Sequence, residues 1–183
     1  MISHAHFKLS LVMASLLALP LAHAASMSKG DYNATKSRIT AQYKAERSAC
    51  ATQSANAKDI CQEQASAKQK VALAELEYGY SAKPADKTKV LLAKAESSYA
   101  VAKERCDDLD GNAKDVCVQE AKAAEQKALS NAKMGEKIVE ARTEASKEKR
   151  DADYKVANEK CDALSGDAKS NCVNAAKAAF GKN

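Results

Sequence analysis

Six cysteines carry the reactive side-chain chemistry of this chain, and they share one spacing. Cys50 and Cys61, Cys106 and Cys117, and Cys161 and Cys172 each enclose ten residues. Thiols in such an arrangement could bind a metal, exchange disulfides or simply pair. No Cys-x-x-Cys redox motif occurs, and the redox compartment decides among these uses. Each unit has a tyrosine seven residues before its first cysteine (Tyr43, Tyr99, Tyr154) and an Ala-Lys pair four residues before its second. The chain is therefore a threefold repeat, and each unit reads as a helical hairpin.

The N-terminus supplies the compartment. Met1 to Lys8 is mildly basic, Leu9 to Leu21 is apolar, and Ala22-His23-Ala24 has the small-x-small pattern that a signal peptidase cuts. About thirteen apolar residues are too few for a span that needs roughly 20. Residues 1–24 are thus expected to be a signal peptide cleaved near Ala24, which places the mature chain in the periplasm with no stable membrane insertion. In that oxidising setting, an even number of cysteines at repeated spacing reads as disulfides. Six cysteines allow about fifteen pairings, and the repeat singles out the pairing within each unit.

Geometry then dictates the fold. A straight helix would hold Cys106 and Cys117 roughly 16 Å apart, whereas a disulfide needs Cα atoms within about 7 Å. The chain must reverse between them, and Asp110-Gly111-Asn112 stands midway; Ser165-Gly166-Asp167 repeats that corner. Gly111 and Gly166 are read as turn residues, Gly111 ending its helix as a left-handed C-terminal cap. The first corner, Ser54-Ala55-Asn56, lacks the glycine and is expected to be the least ideal.

Between corners the composition is that of long helices. Alanine, lysine, glutamate and glutamine dominate, and no stretch has the β-branched alternation of a strand. The expected fold is all-α: elongated tandem helical hairpins, each closed by a disulfide, with coiled-coil-like packing of alanine-rich faces. Unit boundaries fall at 25–80, 81–134 and 135–183. Ser28 and Asp31 suggest a capping box, and a first helix follows to about Ser54, with Tyr32, Ile39, Tyr43 and Cys50 on one stripe. A second helix begins after Asn56. Gly79 to Asp86, with Pro84, is the expected linker. Leu92, Ala95, Tyr99, Ala102, Cys106 and Leu109 line one face of the third helix. Gly135 aligns with Gly79, yet a continuous or kinked helix from Asn112 to Leu164 is favoured over a turn there. Tyr43, Tyr99 and Tyr154 are assigned to hairpin packing.

Composition also excludes much chemistry. The only histidines, His4, His6 and His23, precede the expected cleavage site, so the mature chain lacks a Ser-His-Asp or Cys-His pair and any imidazole ligand. Asp108-Leu-Asp110-Gly111 imitates part of a calcium loop, but Cys106 and Cys117 would occupy positions that require oxygen ligands. The mixed run Lys147 to Asp151 is a solvated helix face, and aromatic interleaving for base stacking is missing. The expectation is a non-enzymatic protein with no cofactor, no metal and no nucleic-acid partner. Its partner would be an envelope protein or polymer, and homo-oligomerisation is left open.

The Met-Ser-Lys-Gly-Asp-Tyr start, the Tyr-x6-Cys and Cys-x5-Asn/Asp-Ala-Lys-x2-Cys units and the terminal Ala-Lys-Ala-Ala-Phe-Gly-Lys resemble a family of small exported proteobacterial proteins. Its members are labelled TolA-like or cell-envelope proteins. The resemblance implies an envelope setting and supplies no catalytic residues. Envelope structure, spacing or stress protection is the expected role; a chaperone-like or polymer-binding adsorber is the alternative.

Overall fold

The computed structural model describes residues 27–182; the expected signal peptide lies outside them. Five α-helices follow one another: α1 (Lys29–Ala49), α2 (Ala55–Ser81), α3 (Pro84–Cys106), α4 (Gly111–Cys161) and α5 (Gly166–Phe180), with one 3-10 turn at Cys50–Thr52. There is no strand among the described residues, so the fold is all-α. The first helix opens on the expected cap. Ser28 Oγ accepts from the Asp31 backbone N–H at 3.1 Å, and the Ser28 hydroxyl donates to the Asp31 carboxylate at 2.7 Å. The carboxylate thus accepts a hydrogen bond from the hydroxyl instead of reaching back to the Ser28 backbone.

Among the described residues every helix packs against its neighbours in sequence and against no other: α1 on α2, α2 on α3, α3 on α4, α4 on α5. In a closed four-helix bundle the first and fourth helices would touch. Here the helices form one open layer, with solvent on both broad faces. Both α2 and α3 are flanked by helices on two sides, and α3 holds most of the buried positions. Ser97 lies on its α2 side, Thr88 and Ala95 on its α4 side, and the buried Val90 and Ala93 share the stripe of Ser97 at helical spacing. Alanine at these positions lets helix axes approach closely but removes little apolar area from water at roughly 25 cal/mol per Å².

Three corners carry covalent bridges: Cys50–Cys61, Cys106–Cys117 and Cys161–Cys172, with Cα separations of 5.6, 5.7 and 5.6 Å. The first cysteine of each pair is fully buried. The corners superimpose in conformation as well as in sequence. Ser54, Asp110 and Ser165 are extended N-caps with φ of −130°, −118° and −131°. The residue after each is left-handed: Ala55 at +48°, Gly111 at +53°, Gly166 at +59°. The left-handed residue therefore opens the second helix of each hairpin, where the expectation made Gly111 the stop of the first. The bridge explains the difference, because α3 must end at Cys106 for that cysteine to meet Cys117 on the returning helix. Leu109 accordingly sits exposed in the turn, and α1 gives way to the 3-10 turn at Cys50, four residues before Ser54.

The unbridged α2–α3 corner is tighter than the expected linker. Only Ala82 and Lys83 are non-helical. Pro84 occupies the first turn of α3, where its missing N–H costs nothing, and Gly79 lies inside α2. The aligned Gly135 lies inside α4, which is unbroken over 51 residues, roughly 75 Å. The boundary drawn at 134/135 therefore coincides with no break. No helix among the described residues is long and apolar enough to cross a membrane.

Candidate functional site

The layer presents a corrugated face. Ile39, Tyr43, Glu46, Lys68 and Ala72 line a groove between α1 and α2. Lys68, Ala72, Val71, Lys94, Ser98 and Val101 line the next, of about 730 Å³, between α2 and α3. A third, of about 630 Å³, runs between α3 and α4 past Lys94, Ser98, Tyr99 and a row of alanines including Ala121, Ala124 and Ala128. Successive grooves share the residues on the ridge between them, Lys68 and Ala72 on α2, Lys94 and Ser98 on α3. All three grooves therefore open on one side of the layer.

The periodicity of the repeat explains this placement. Tyr43 and Tyr99 hold the same position relative to their cysteines, so each half-buried ring lines the groove toward the next helix. Arg47 donates to the Tyr43 hydroxyl at 2.7 Å. Hydrogen bonding to Ser66, then to Arg47, lowers the Tyr43 pKa from its ordinary value. Tyr154 stacks edge-on with Phe180 of α5 at 6.2 Å between ring centroids. Tyr32, which repeats nothing, donates to Glu77 at 2.8 Å and packs on Tyr80; the Glu77 hydrogen bond raises its pKa.

Ion pairs pin neighbouring helices: Glu46–Lys68 at 3.1 Å and Glu75–Lys94 at 2.7 Å lie along the grooves, and Lys70–Glu96 at 2.6 Å joins α2 to α3 outside them. The bridged corners add Asp107–Lys114 and Asp162–Lys169, both at 2.8 Å. These lysines are those of the repeated Ala-Lys pair. In the first copy Ala51 holds the position of Asp107 and Asp162, so that corner lacks both the glycine and the ion pair. At the unbridged corner Asp86 is buried. It accepts from Lys89 at 2.7 Å and from the Ser81 hydroxyl, and the lysine, then the serine, hold its pKa below the ordinary value of 3.8. Lys114 does the same for Asp107, and Lys182 for Asp151.

These shifts are the signature of carboxylates fixed as structural anions. A general acid needs the opposite displacement, upward, in an apolar pocket. Asp108 and Asp110, the acids of the calcium-loop imitation, flank a turn in which Asp107 is committed to Lys114. Among the described residues no group of three or more His, Cys, Asp or Glu side chains gathers in metal-binding geometry. The surface that the arrangement offers is suited to contact: apolar furrows with charged ridges. Sequence reasoning placed the tyrosines and cysteines but missed this face, because it arises from the side-by-side packing of α2 and α3, which no motif announces. The ion-pair partners on α2 and α3 were equally hidden among many charges at helical spacing.

No protein-family description, curated protein or solved structure matches this chain.

Proposed function

We propose that this is a non-catalytic cell-envelope protein of the periplasm, a spacer or protective scaffold that works by protein–protein contact through the corrugated face. The observation that carries this reading is the open single layer. Four helices are joined by two bridged corners and a polar-locked third, and among the described residues one whole side of furrows is left uncovered. The three disulfides fit an oxidising compartment, and the sequence resemblance to exported envelope proteins supports the setting. The shifted carboxylates, all held down by basic or hydrogen-bonding neighbours, support a role without acid–base chemistry.

A photo-crosslinking residue at Ser98 or Val101, introduced into the exported chain in cells, tests the reading. An envelope protein or polymer should be captured there and not from Lys44, on the exposed side of α1. Equal labelling from both positions, or none from the face, would overturn it. The furrows with Tyr43, Val71, Val101 and Tyr99 also favour a second reading, an adsorber of unfolded chains. Suppression of client aggregation by the oxidised protein, lost on reduction, would select that reading over the spacer.

A further inference from the structure

The repeat is one interface short. Cys106 follows Cys61 by 45 positions, and Cys161 follows Cys117 by 44. The first of these stretches folds as α2, a two-residue turn and α3, and the α2–α3 contact it makes is the most extensive among the described residues. The second stretch is straight. Its two halves, the equivalents of α2 and α3, lie end to end in α4 and cannot meet. The faces that would form the contact are both present and both bare.

On the N-terminal half, counting from the second cysteine, Val116 and Met134 stand where Ile60 and Tyr78 stand in α2, and they are 47% and 56% exposed. On the C-terminal half, Ala145, Ala152 and Val156 stand where α3 has Val90, Ser97 and Val101. Val101 is part-covered in the α2–α3 groove, whereas Val156 is 56% exposed. The polar contact has its counterpart too. Asn56 donates from its side chain to the Glu104 carbonyl at 2.8 Å. The equivalent Asn112 is exposed and makes no side-chain hydrogen bond among the described residues, and Glu159 stands at the position of Glu104.

One position on each face breaks the apolar pattern, and the two breaks match. Lys127 replaces Val71, and Glu148 replaces Ala93. Brought together in the register of α2 on α3, these opposite charges lie within a helical turn of each other. Because α4 is unbroken, residues 123 and 152 of one chain are roughly 44 Å apart, so the complement must come from another molecule.

We propose that the partner is a second copy of this chain, and that two α4 helices pack antiparallel about a two-fold axis crossing them between Met134 and Ile138. Such a contact is isologous. It holds two interfaces of the α2–α3 kind, one on each side of the axis, each with a Lys127–Glu148 pair. The two layers then join edge to edge, and each copy's α5 extends the joined layer beyond its own α4 as α4 extends it beyond α3. The inference is independent of the envelope reading, which holds for a monomer or a dimer.

The test uses the full exported, oxidised chain. Sedimentation equilibrium should show a dimer, and Lys127→Glu or Glu148→Lys should each weaken it at least tenfold without changing helicity. Mixing the two variants, one of them labelled with 15N, should restore a heterodimer in native mass spectrometry, since each then presents the charge that the other lacks. A monomeric wild-type chain would overturn the proposal. So would single variants that dimerise as the wild type does, or a mixture that stays monomeric. A compact monomer in which α4 itself folds back near Ile138 is the intramolecular alternative and would also refute it.

Discussion

Ala55→Gly should stabilise the protein, and the reason lies in the comparison of its three corners. Ala55 is held at φ +48°, the conformation that Gly111 and Gly166 adopt at +53° and +59° in the other copies. An L-residue with a Cβ gives up about 1–2 kcal/mol in that region, and glycine returns part of the gain through its more flexible unfolded chain, about 0.5–1 kcal/mol. A net stabilisation of about 0.5–1 kcal/mol remains. Sterics do not complicate the comparison, because a Cβ built on Gly111 or Gly166 meets nothing within 4 Å. Gly111→Ala and Gly166→Ala should therefore cost a similar amount through backbone strain alone. For a chain of this length, 1 kcal/mol is worth about 2–4 °C in Tm. Thermal melts followed by circular dichroism, with disulfides intact, would read the shift. Hydrogen exchange would localise it to the amides after Gln53. If Ala55→Gly leaves Tm unchanged or lowers it while the two Gly→Ala changes are neutral, the left-handed corner is not where the first hairpin loses stability.

Further outcomes follow from the remaining corners. Replacing Cys161 and Cys172 with serine removes a bridge worth about 3 kcal/mol on the chain-entropy account. Because α5 touches only α4 among the described helices, limited proteolysis should release α5 with the C-terminal half of α4 while α1 to α3 and the N-terminal half of α4 stay protected. Ala51→Asp should create with Lys58 the pair present at the other two corners. The added stability should be seen at low ionic strength and vanish in about 1 M salt, where the screening length is roughly 3 Å. Acid should destabilise the protein in a defined direction. The pKa of Asp86, Asp107 and Asp151 is lower in the folded chain than the ordinary 3.8. The unfolded chain therefore takes up protons first, and stability present above that value is lost as pH falls through the depressed ones. Melts from pH 6 to 2 should show this, and Asp86→Asn should flatten the profile.

The hairpins were legible because a covalent constraint and a helical rise cannot both be met without a reversal. Cys106 and Cys117 alone dictate that the chain turns, and the shared spacing carries the result to the other copies. The direction of the turn was harder to read. Gly111 suits the end of one helix as well as the start of the next, and only the position of the bridge decides between them. Pro84 was legible as punctuation but not as the opening of α3, because a proline at a first helical position and one in a loop look alike in sequence. The continuity of α4 matches that of α2 at Gly79, since only alignment with Gly79 marks Gly135 as a turn. The corrugated face was not legible at all. It depends on α2 packing beside α3 in an open layer, and alanine-rich stripes pair as readily in other orders.

The account stands or falls on α4 being a single rod that holds the third hairpin away from the layer. Spin labels attached at positions 122 and 155 through a non-cysteine chemistry, diluted into excess unlabelled protein, report their separation within one chain. An unbroken helix places these positions roughly 50 Å apart. A narrow distribution near that value is the predicted result, and a separation of about 10 Å, the spacing of packed helices, would contradict it.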